Sequence, residues 1–228
     1  PKDPLLLYNY GKFFHDQKIF DKAVRFYKES FNLDKKNYLA VYNIGNIFLS
    51  ESKFDQAIEF FKKAIEINPS NSRAYNNMGI AQKRIGNFNK ALEFYKEAIK
   101  RDNNYVDAHV NYATMLLTTN RLKEGFEEYE WRKKSKSFSD YIDYRSLNLN
   151  SKIWNGETIK NKKLFVIAEQ GIGDLIQFGR YLYLLKSKYK AKIVLKIKNK
   201  NFLHFFKPGD FKIILDGQTV PQHDYHVF

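Results

Sequence analysis

Residues 38–71 read YLAVYNIGNIFLSESKFDQAIEFFKKAIEINPSN, and residues 72–105 repeat the pattern as SRAYNNMGIAQKRIGNFNKALEFYKEAIKRDNNY. Three kinds of residue recur at an interval of 34 positions: Gly45 and Gly79, Ala57 and Ala91, Phe61 and Tyr95. Each aromatic follows its alanine by four positions, so the two share one face of a helix. The spacing predicts tandem helical hairpins whose helices touch closely at the small residues.

The same register extends in both directions along the chain. Gly11, Ala23 and Tyr27 occupy the equivalent positions before residue 38, and Ala113, Gly125 and Tyr129 occupy them after residue 105. Four hairpins are therefore predicted. Their boundaries are Pro4–Asn37, Tyr38–Asn71, Ser72–Tyr105 and Val106–Ser139.

The helices are predicted most clearly in the second repeat, residues 38–71. The first helix covers about Tyr38 to Glu51, and the second covers about Phe54 to Asn68, where Pro69 ends it. The pattern resembles the tetratricopeptide repeat (TPR) family, which implies an α-helical solenoid over residues 1–139. The fourth unit ends in Trp131 and Arg132, which indicates a terminal repeat adapted to dock on the next part of the chain.

The repeat is lost after Ser139. Residues 140–163 are polar and are predicted to be a connector. A change to short β-branched runs then predicts the start of an α/β lobe over residues 164–228. The predicted strands are Leu164–Ala168, Ile193–Ile197, Phe211–Leu215 and His226–Phe228, with helices at Asp174–Tyr189 and Asn199–Phe206.

The composition sets limits on the kind of protein. The net charge is +14, and residues 160–212 alone carry 13 basic and 3 acidic side chains. This excess indicates either a lysine-coated surface or attraction for phosphates; no nucleic-acid-binding signature accompanies it, and no nucleic-acid partner is predicted. There is no cysteine, so disulfides and thiolate sites are excluded. No apolar run is long enough for a transmembrane segment, and a cytoplasmic location is expected.

A glycine turn follows the first predicted strand. Gly171 and Gly173 allow the backbone to turn tightly and to present N–H groups at a helix start, where an anion or a sugar hydroxyl can approach. The common nucleotide sites are disfavoured, because no Lys-Ser/Thr pair follows and Ile176 replaces the third glycine of a dinucleotide fingerprint. The histidines show no metal-ligand spacing, and no metal or bound cofactor is expected.

A second resemblance rests on residues 168–181, AEQGIGDLIQFGRY, on the preceding WNGE of residues 154–157, and on the YEWR of residues 129–132. These stretches resemble bacterial proteins that join TPR units to a glycosyltransferase domain similar to the heptosyltransferases (family-9-like, two-lobed B-type fold). The resemblance implies a Rossmann-like, amino-terminal acceptor lobe, truncated here, with a nucleotide-sugar as co-substrate of the full-length protein.

The resemblance also implies residue roles. Asp174 would be the general base, and the acceptor would contact a set of nearby residues: Gln170, Gly171, Gly173, Gln177 and Arg180. The residues themselves leave other interpretations open. Asp174 is equally suited to be a helix N-cap that pairs with Gln177, and Arg180 to be an ordinary surface residue.

An asparagine row runs through the repeats. Asn9, Asn43, Asn77 and Asn111 recur on the first helix of each unit, and Tyr8 and Tyr42 precede the first two. First helices of stacked hairpins line one groove, where amides can bond to the backbone of an extended peptide and the tyrosines can add stacking contacts. The row resembles the one in eukaryotic O-linked N-acetylglucosamine transferase. Alternatively, these amides bond within the repeat stack.

Two functions remain open at this point. In the first, the chain is a fragment of a TPR-containing glycosyltransferase: the repeats recruit a protein or glycan acceptor, and the fragment is inactive because the donor lobe is absent. In the second, the chain is a non-catalytic scaffold for protein–protein interaction.

Overall fold

The computed structural model describes residues 3–135, 149, 151–168, 172–198, 200–207 and 209–227, with only the backbone described for residues 172–178 and 205. The chain divides into two compact units, Pro1–Ser135 and Lys136–Phe228. The first is helical, and the second contains a parallel sheet.

The helical unit consists of four consecutive hairpins, as predicted. The helices are α1 (Pro4–Asp16), α2 (Phe20–Leu33), α3 (Tyr38–Ser50), α4 (Phe54–Ile67), α5 (Ser72–Arg84), α6 (Phe88–Arg101), α7 (Val106–Thr118) and α8 (Leu122–Tyr129), and a 3-10 helix follows at Glu130–Lys134.

Each of the first three hairpins closes on a contact between a glycine and an aromatic ring. A Cβ atom added to Gly45 would lie 2.6 Å from a ring carbon of Phe61, and one on Gly79 would lie equally close to Tyr95. Both rings are completely buried. The first and second helices can therefore approach closely only because these positions lack a side chain, which confirms the role predicted for the recurring small residues.

The turns inside the hairpins share one backbone conformation. Lys18, Ser52, Gly86 and Asn120 occupy equivalent positions, 34 residues apart, and their φ angles are +59°, +59°, +82° and +62°. Only Gly86 adopts this left-handed conformation without a steric cost to a Cβ atom. The turn geometry is thus fixed by the repeat and not by a glycine at every turn.

The last hairpin differs from the others. Gly125 approaches Leu117, where an added Cβ would lie 2.6 Å from a side-chain methyl carbon, and α8 ends after eight residues. Trp131 in the following 3-10 helix stacks on His109 of α7, with ring centroids 3.6 Å apart and planes within 5°. The Nδ1 of His109 also contacts the carboxylate of Glu128, and its Nε2 lies 3.0 Å from the carbonyl oxygen of Asn103.

The second unit contains a small parallel sheet. Its strands are β1 (Lys152–Ile153), β2 (Lys163–Ile167), β3 (Lys192–Ile197), β4 (Lys212–Leu215) and β5 (Tyr225–Val227), in the order β1-β5-β2-β3-β4. Every paired strand runs parallel to its neighbour. Helix α9 (Ile172–Tyr189) connects β2 to β3, and a 3-10 helix (Lys200–Phe205) connects β3 to β4. The parallel sheet was predicted, whereas its membership of a Rossmann-like lobe stays a prediction.

Two local predictions for this unit need correction. Lys152 and Ile153 pair with Tyr225 and His226 as a short edge strand, so part of the predicted connector belongs to the sheet. Helix α9 begins at Ile172, two residues before the predicted start, so Asp174 lies in its first turn and is not an N-cap. The capping pair of Asp174 with Gln177 is therefore wrong.

Within the described part of the chain, no helix combines the length and the apolar character needed to cross a bilayer.

Candidate functional site

The first helices of the four hairpins carry a continuous row of hydrogen-bonded amides. The Nδ2 of Asn111 on α7 donates to the Oδ1 of Asn76 on α5 at 2.9 Å, and the Nδ2 of Asn76 donates to the Oδ1 of its neighbour Asn77 at 3.2 Å. The Nδ2 of Asn77 then donates to the Oδ1 of Asn46 on α3 at 2.8 Å. This surface, formed by α1, α3, α5 and α7, is called the amide face below.

The row continues toward the first hairpin. The Nδ2 of Asn46 donates to the Oδ1 of Asn43 at 3.4 Å, and the Nδ2 of Asn43 donates to the hydroxyl of Tyr8 on α1 at 3.1 Å. Asn77 donates in addition to the hydroxyl of Tyr42 at 3.0 Å. All of these bonds run in one direction, from each amide nitrogen toward an acceptor at the same or an earlier hairpin.

The recurring asparagines were given two interpretations, contact with a bound peptide and bonding within the repeat stack. The observed bonds decide between these two only in part. Asn43, Asn77 and Asn111 do bond within the repeat stack, each to a residue of the preceding hairpin. A primary amide offers two N–H donors and two lone pairs. The side-chain bond described for Asn111 uses one donor, so its oxygen can still accept from a ligand. The peptide-binding role stays a prediction, and it is compatible with the stacking bonds.

The burial of the row suits a surface that a ligand can reach. Asn43, Asn77 and Asn111 are half-buried, and Asn76 is buried. Asn9 is exposed and takes part in none of the bonds described above, which end at Tyr8. Burial raises the pKa of Tyr42, against the opposing effects of hydrogen bonds to Asn46 and Asn77 and of the nearby Arg73 charge. Tyr42 therefore keeps its proton at neutral pH, and its hydroxyl can donate to a ligand while it accepts from Asn77.

Asn46 and Asn76 belong to the row, although the 34-residue pattern did not predict them. Asn46 lies one helical turn after Asn43, and Asn76 directly precedes Asn77, at the position that Tyr8 and Tyr42 occupy in the earlier hairpins. Neither residue recurs in all four units, so the periodicity gave no signal for them. The signal available in the sequence was the clustering of asparagines within one turn of a predicted row position.

The residues predicted from the glycosyltransferase resemblance are described less completely. Gln170 and Gly171 lie outside the described residues. Gly173, Asp174 and Gln177 lie in the first two turns of α9, where only the backbone is described. Arg180 is exposed, and its guanidinium lies 5.1 Å from the ring of Tyr181. Helix α9 follows β2 in the chain, but Gly173 lies inside the helix and not in the predicted turn, whose other residues, 169–171, lie outside the described residues.

No group of three or more His, Asp or Glu side chains suited to hold a metal ion occurs among the residues whose side chains are described.

Comparison with known proteins agrees with the helical architecture. Sequence models of the family described as tetratricopeptide repeat match residues 7–37, 38–71 and 72–105. Residues 7–105 are tetratricopeptide repeats. The matched segments coincide with the first three hairpins, and the fourth hairpin continues their register in the structure.

One curated protein and several solved structures are similar to parts of the chain. The protein FlbA of Caulobacter vibrioides is 36% identical over 70 residues, which cover 31% of this chain but only 11% of FlbA. Two solved structures of MamA, one of them MamA 41-end from Desulfovibrio magneticus RS-1, are each 20% identical, with TM-scores of 0.53 and 0.55. The alignments cover 59–62% of this chain and 78–83% of the two solved chains.

A third similar structure is the first TPR of Spaghetti (RPAP3) bound to the HSP90 peptide SRMEEVD. It is 20% identical, with a TM-score of 0.50, over 52% of this chain and 94% of that one. At this identity the structural likeness shows the shared fold of the helical unit.

Proposed function

We propose that the helical unit is a protein-interaction scaffold whose amide face holds an extended peptide by its main chain. The observation that carries the proposal is the unbroken amide row from Asn111 to Tyr8, which crosses all four first helices. The peptide bound to the similar TPR of RPAP3 gives further support.

The chemistry of the row favours recognition of main chain over side chains. A carboxamide offers a donor and an acceptor side by side, which matches the C=O and N–H groups of an extended peptide. The stacking bonds hold each amide in a fixed orientation, so little side-chain entropy is lost when a ligand binds. Four helices at 8–10 Å spacing span about 25–30 Å, the length of about eight extended residues.

The proposal is tested with a fluorescein-labelled pool of random, unstructured peptides of about ten residues. We expect peptides to bind, and we expect scrambling of a selected sequence to change the affinity little. Backbone N-methylation should weaken binding at least about tenfold, because methylation removes donors of the main chain. The double variant Asn43→Ala/Asn111→Ala should lose the binding. Asn89→Ala, at an exposed position on the second helix α6, is the matched control.

Two results would refute this proposal. One is binding that depends on peptide sequence but not on N-methylation, which would place recognition in side-chain pockets. The other is equal loss of binding in the Asn43/Asn111 variant and the Asn89 control.

A second candidate function is favoured by the order of strands in the second unit. The chain passes from β2 to β3 and then to β4, each strand lying further outward on the same side of β2. It then returns to form β5 on the other side of β2. In parallel α/β sheets such a reversal creates a crevice beyond the carboxyl ends of the two strands, where ligands bind. Asp174 lies in the first turn of the helix that follows β2 at this end of the sheet.

We propose on this basis, and on the resemblance of residues 168–181, that the second unit is the acceptor lobe of a glycosyltransferase in the full-length protein. In this reaction Asp174 takes the proton of an acceptor hydroxyl, whose oxygen bonds to the anomeric carbon of a nucleotide-sugar as the nucleotide leaves. Gln170, Gly171, Gly173, Gln177 and Arg180 would contact the acceptor, a glycan or a protein.

The test uses the full-length protein, a panel of nucleotide-sugars and the variant Asp174→Asn. Nucleotide release with an acceptor present should fall at least about a hundredfold in the variant, the usual range for loss of a general base. Asn89→Ala, an exposed substitution in the helical unit, serves as control. Absence of release from the unmodified protein, or release unaffected by the substitution, would contradict the proposal and leave the scaffold function.

A further inference from the structure

The amide face contains one pair of side chains twice: an asparagine and a tyrosine of the preceding hairpin. The hydroxyl of Tyr8 on α1 accepts a hydrogen bond from the Nδ2 of Asn43 on α3, and the hydroxyl of Tyr42 on α3 accepts one from the Nδ2 of Asn77 on α5. The two members of each pair are 35 residues apart, so the second pair is the first one repeated one hairpin later. All four side chains are half-buried. They are called the hydroxyl–amide pairs.

Each hydroxyl–amide pair retains one donor and one acceptor for a ligand. A hydroxyl that accepts a bond keeps its own proton, and none of the hydrogen bonds described for Tyr8 or Tyr42 uses that proton. The amide oxygen of each asparagine accepts one bond from a neighbouring asparagine and has a second lone pair. A pair can therefore donate to one C=O group and accept from one N–H group.

The donor and the acceptor lie in the same order in both pairs. The tyrosine belongs to the earlier hairpin, so its hydroxyl lies on the α1 side of the amide. The C–N and C=O bonds of a carboxamide diverge from one carbon. Because the nitrogens of Asn43 and Asn77 are directed at the earlier hairpin, their oxygens lie on the α7 side. The ends of the row keep this order, with the hydroxyl of Tyr8 on α1 and, on α7, the oxygen of Asn111, which none of the described bonds uses.

The main chain of an extended peptide carries the complementary groups in a fixed order. The N–H and C=O of one residue point to the same side of the chain, and the N–H lies nearer the amino terminus. We propose that the amide face binds its peptide in one orientation, with the amino terminus toward α7 and the carboxyl terminus toward α1. The hydroxyls of Tyr8 and Tyr42 set this orientation by donating to C=O groups of the peptide. The proposal rests on the proposed peptide-binding function and adds the direction of the bound chain to it.

The reversed orientation brings unlike groups together at both pairs. A peptide N–H would then face a tyrosine oxygen that already accepts from an asparagine, and a peptide C=O would face the oxygen of an amide. The hydrogen bonds of both peptide groups would be lost. Each lost bond lowers the affinity by about twofold to tenfold, so two pairs are enough to favour one direction strongly.

Paramagnetic broadening of the asparagine side-chain signals in NMR tests the orientation. An unstructured peptide of about ten residues spans about 30 Å, close to the length of the row. It carries a nitroxide at its amino end in one sample and at its carboxyl end in the other, and the reduced nitroxide gives the reference signal. The amino-terminal label should broaden the Nδ2 signal of Asn111 on α7 more than that of Asn9 on α1. The carboxyl-terminal label should broaden Asn9 more than Asn111.

Tyrosine variants test the role of the hydroxyls. Tyr42→Phe should weaken binding by about twofold to tenfold, because one donor to the peptide is lost. In the double variant Tyr8→Phe/Tyr42→Phe the difference in broadening between Asn9 and Asn111 should become smaller for both labels, a change that a purely structural role of the tyrosines would not cause. Tyr10→Phe, at a 46% exposed tyrosine of α1 outside the pairs, is the matched control and should leave affinity and orientation unchanged.

The outcomes separate this proposal from the function on which it rests. A peptide that shifts the amides of Asn43, Asn77 and Asn111, but whose labels broaden both ends equally or in the reverse order, would overturn the orientation and leave main-chain binding intact. An unchanged difference in broadening in the double tyrosine variant would overturn the role of the hydroxyls. Peptides that do not bind at all would overturn the proposed function and the orientation with it.

Discussion

At the scale of single residues, the asparagine row shows how one residue type serves stability and recognition together. Asn77 donates to Tyr42 and to Asn46, and it accepts from Asn76. Its half-buried amide therefore joins two hairpins, while the row as a whole lies on the amide face formed by the first helices. The periodicity of the sequence predicted the four recurring asparagines, but not Asn46 and Asn76, because bridging between repeats depends on side-chain directions that a 34-residue period does not encode.

Replacement of Asn77 should destabilise the helical unit. Asn77→Ala removes the donor that Asn77 supplies to the hydroxyl of Tyr42 and to the amide oxygen of Asn46, and the acceptor that it supplies to Asn76, which should lower the free energy of unfolding by about 1–2 kcal/mol. Urea unfolding followed by circular dichroism measures the effect. Asn89→Ala should stay within about 0.5 kcal/mol of the unmodified chain. Equal effects of the two substitutions would show that the row contributes nothing to stability.

His15 should make the helical unit sensitive to mild acid. Burial lowers the pKa of His15, while Asp16 acts in the opposite direction, and the hydroxyl of Tyr27 lies 3.5 Å from its Nδ1. Below the ordinary histidine pKa of about 6.5, the unfolded chain binds a proton that the folded chain resists. The free energy of unfolding should therefore fall as the pH falls from about 7 to 5.

The variant His15→Asn isolates this contribution. Its free energy of unfolding should vary less over the same pH range, whereas His204→Asn in the second unit should leave the pH dependence of the helical unit unchanged. A pH dependence that is the same in the unmodified chain and in His15→Asn would contradict the assignment.

At the scale of helices and strands, sequence predicted best where the repeat supplied independent copies of one pattern. The predicted second hairpin began at Tyr38 and Phe54, as observed, because its small residues and its aromatic are set by a steric contact that recurs. The second unit had no such repetition. Lys152 and Ile153 were missed as a strand because two residues carry no alternation, and they form a strand only through pairing with Tyr225 and His226.

The glycine–aromatic contact predicts a specific defect. Gly45→Ala would place a methyl group within 2.6 Å of the buried ring of Phe61, so the hairpin must open or the ring must move. The free energy of unfolding should fall by about 2 kcal/mol, even though alanine favours helix more than glycine does. Thermal unfolding of the helical unit gives the measurement.

A double variant and a second glycine serve as controls. Gly45→Ala combined with Phe61→Leu should lose less stability than the sum of the two single losses, because the smaller side chain removes the clash. Gly179→Ala in α9 meets Phe206 at an ordinary distance of 3.5 Å and should be neutral or stabilising. Additive losses in the double variant would disprove the steric explanation.

At the scale of the whole molecule, the chain joins a TPR array to a unit built on a parallel sheet. The array carries the amide face, and the order of the parallel strands in the sheet reverses between β2 and β5. The helical solenoid of the first unit and the parallel sheet of the second could be predicted from sequence because hydrophobic period and turn residues act locally, whereas the Rossmann-like lobe stays a prediction. The ligand that each unit binds could not be predicted from sequence. The ligands of a repeat surface and of a sheet edge depend on which polar groups remain available after folding.

The central claim is that the amide face binds the main chain of an extended peptide. Its most direct measurement is the NMR chemical shift of the asparagine side-chain amides while a pool of unstructured peptides is titrated into the protein. The amides of Asn43, Asn77 and Asn111 should shift together, and the same pool with N-methylated backbones should shift them much less. Shifts confined to Asn32 and Asn89 on the second helices, or equal shifts with both pools, would contradict the claim.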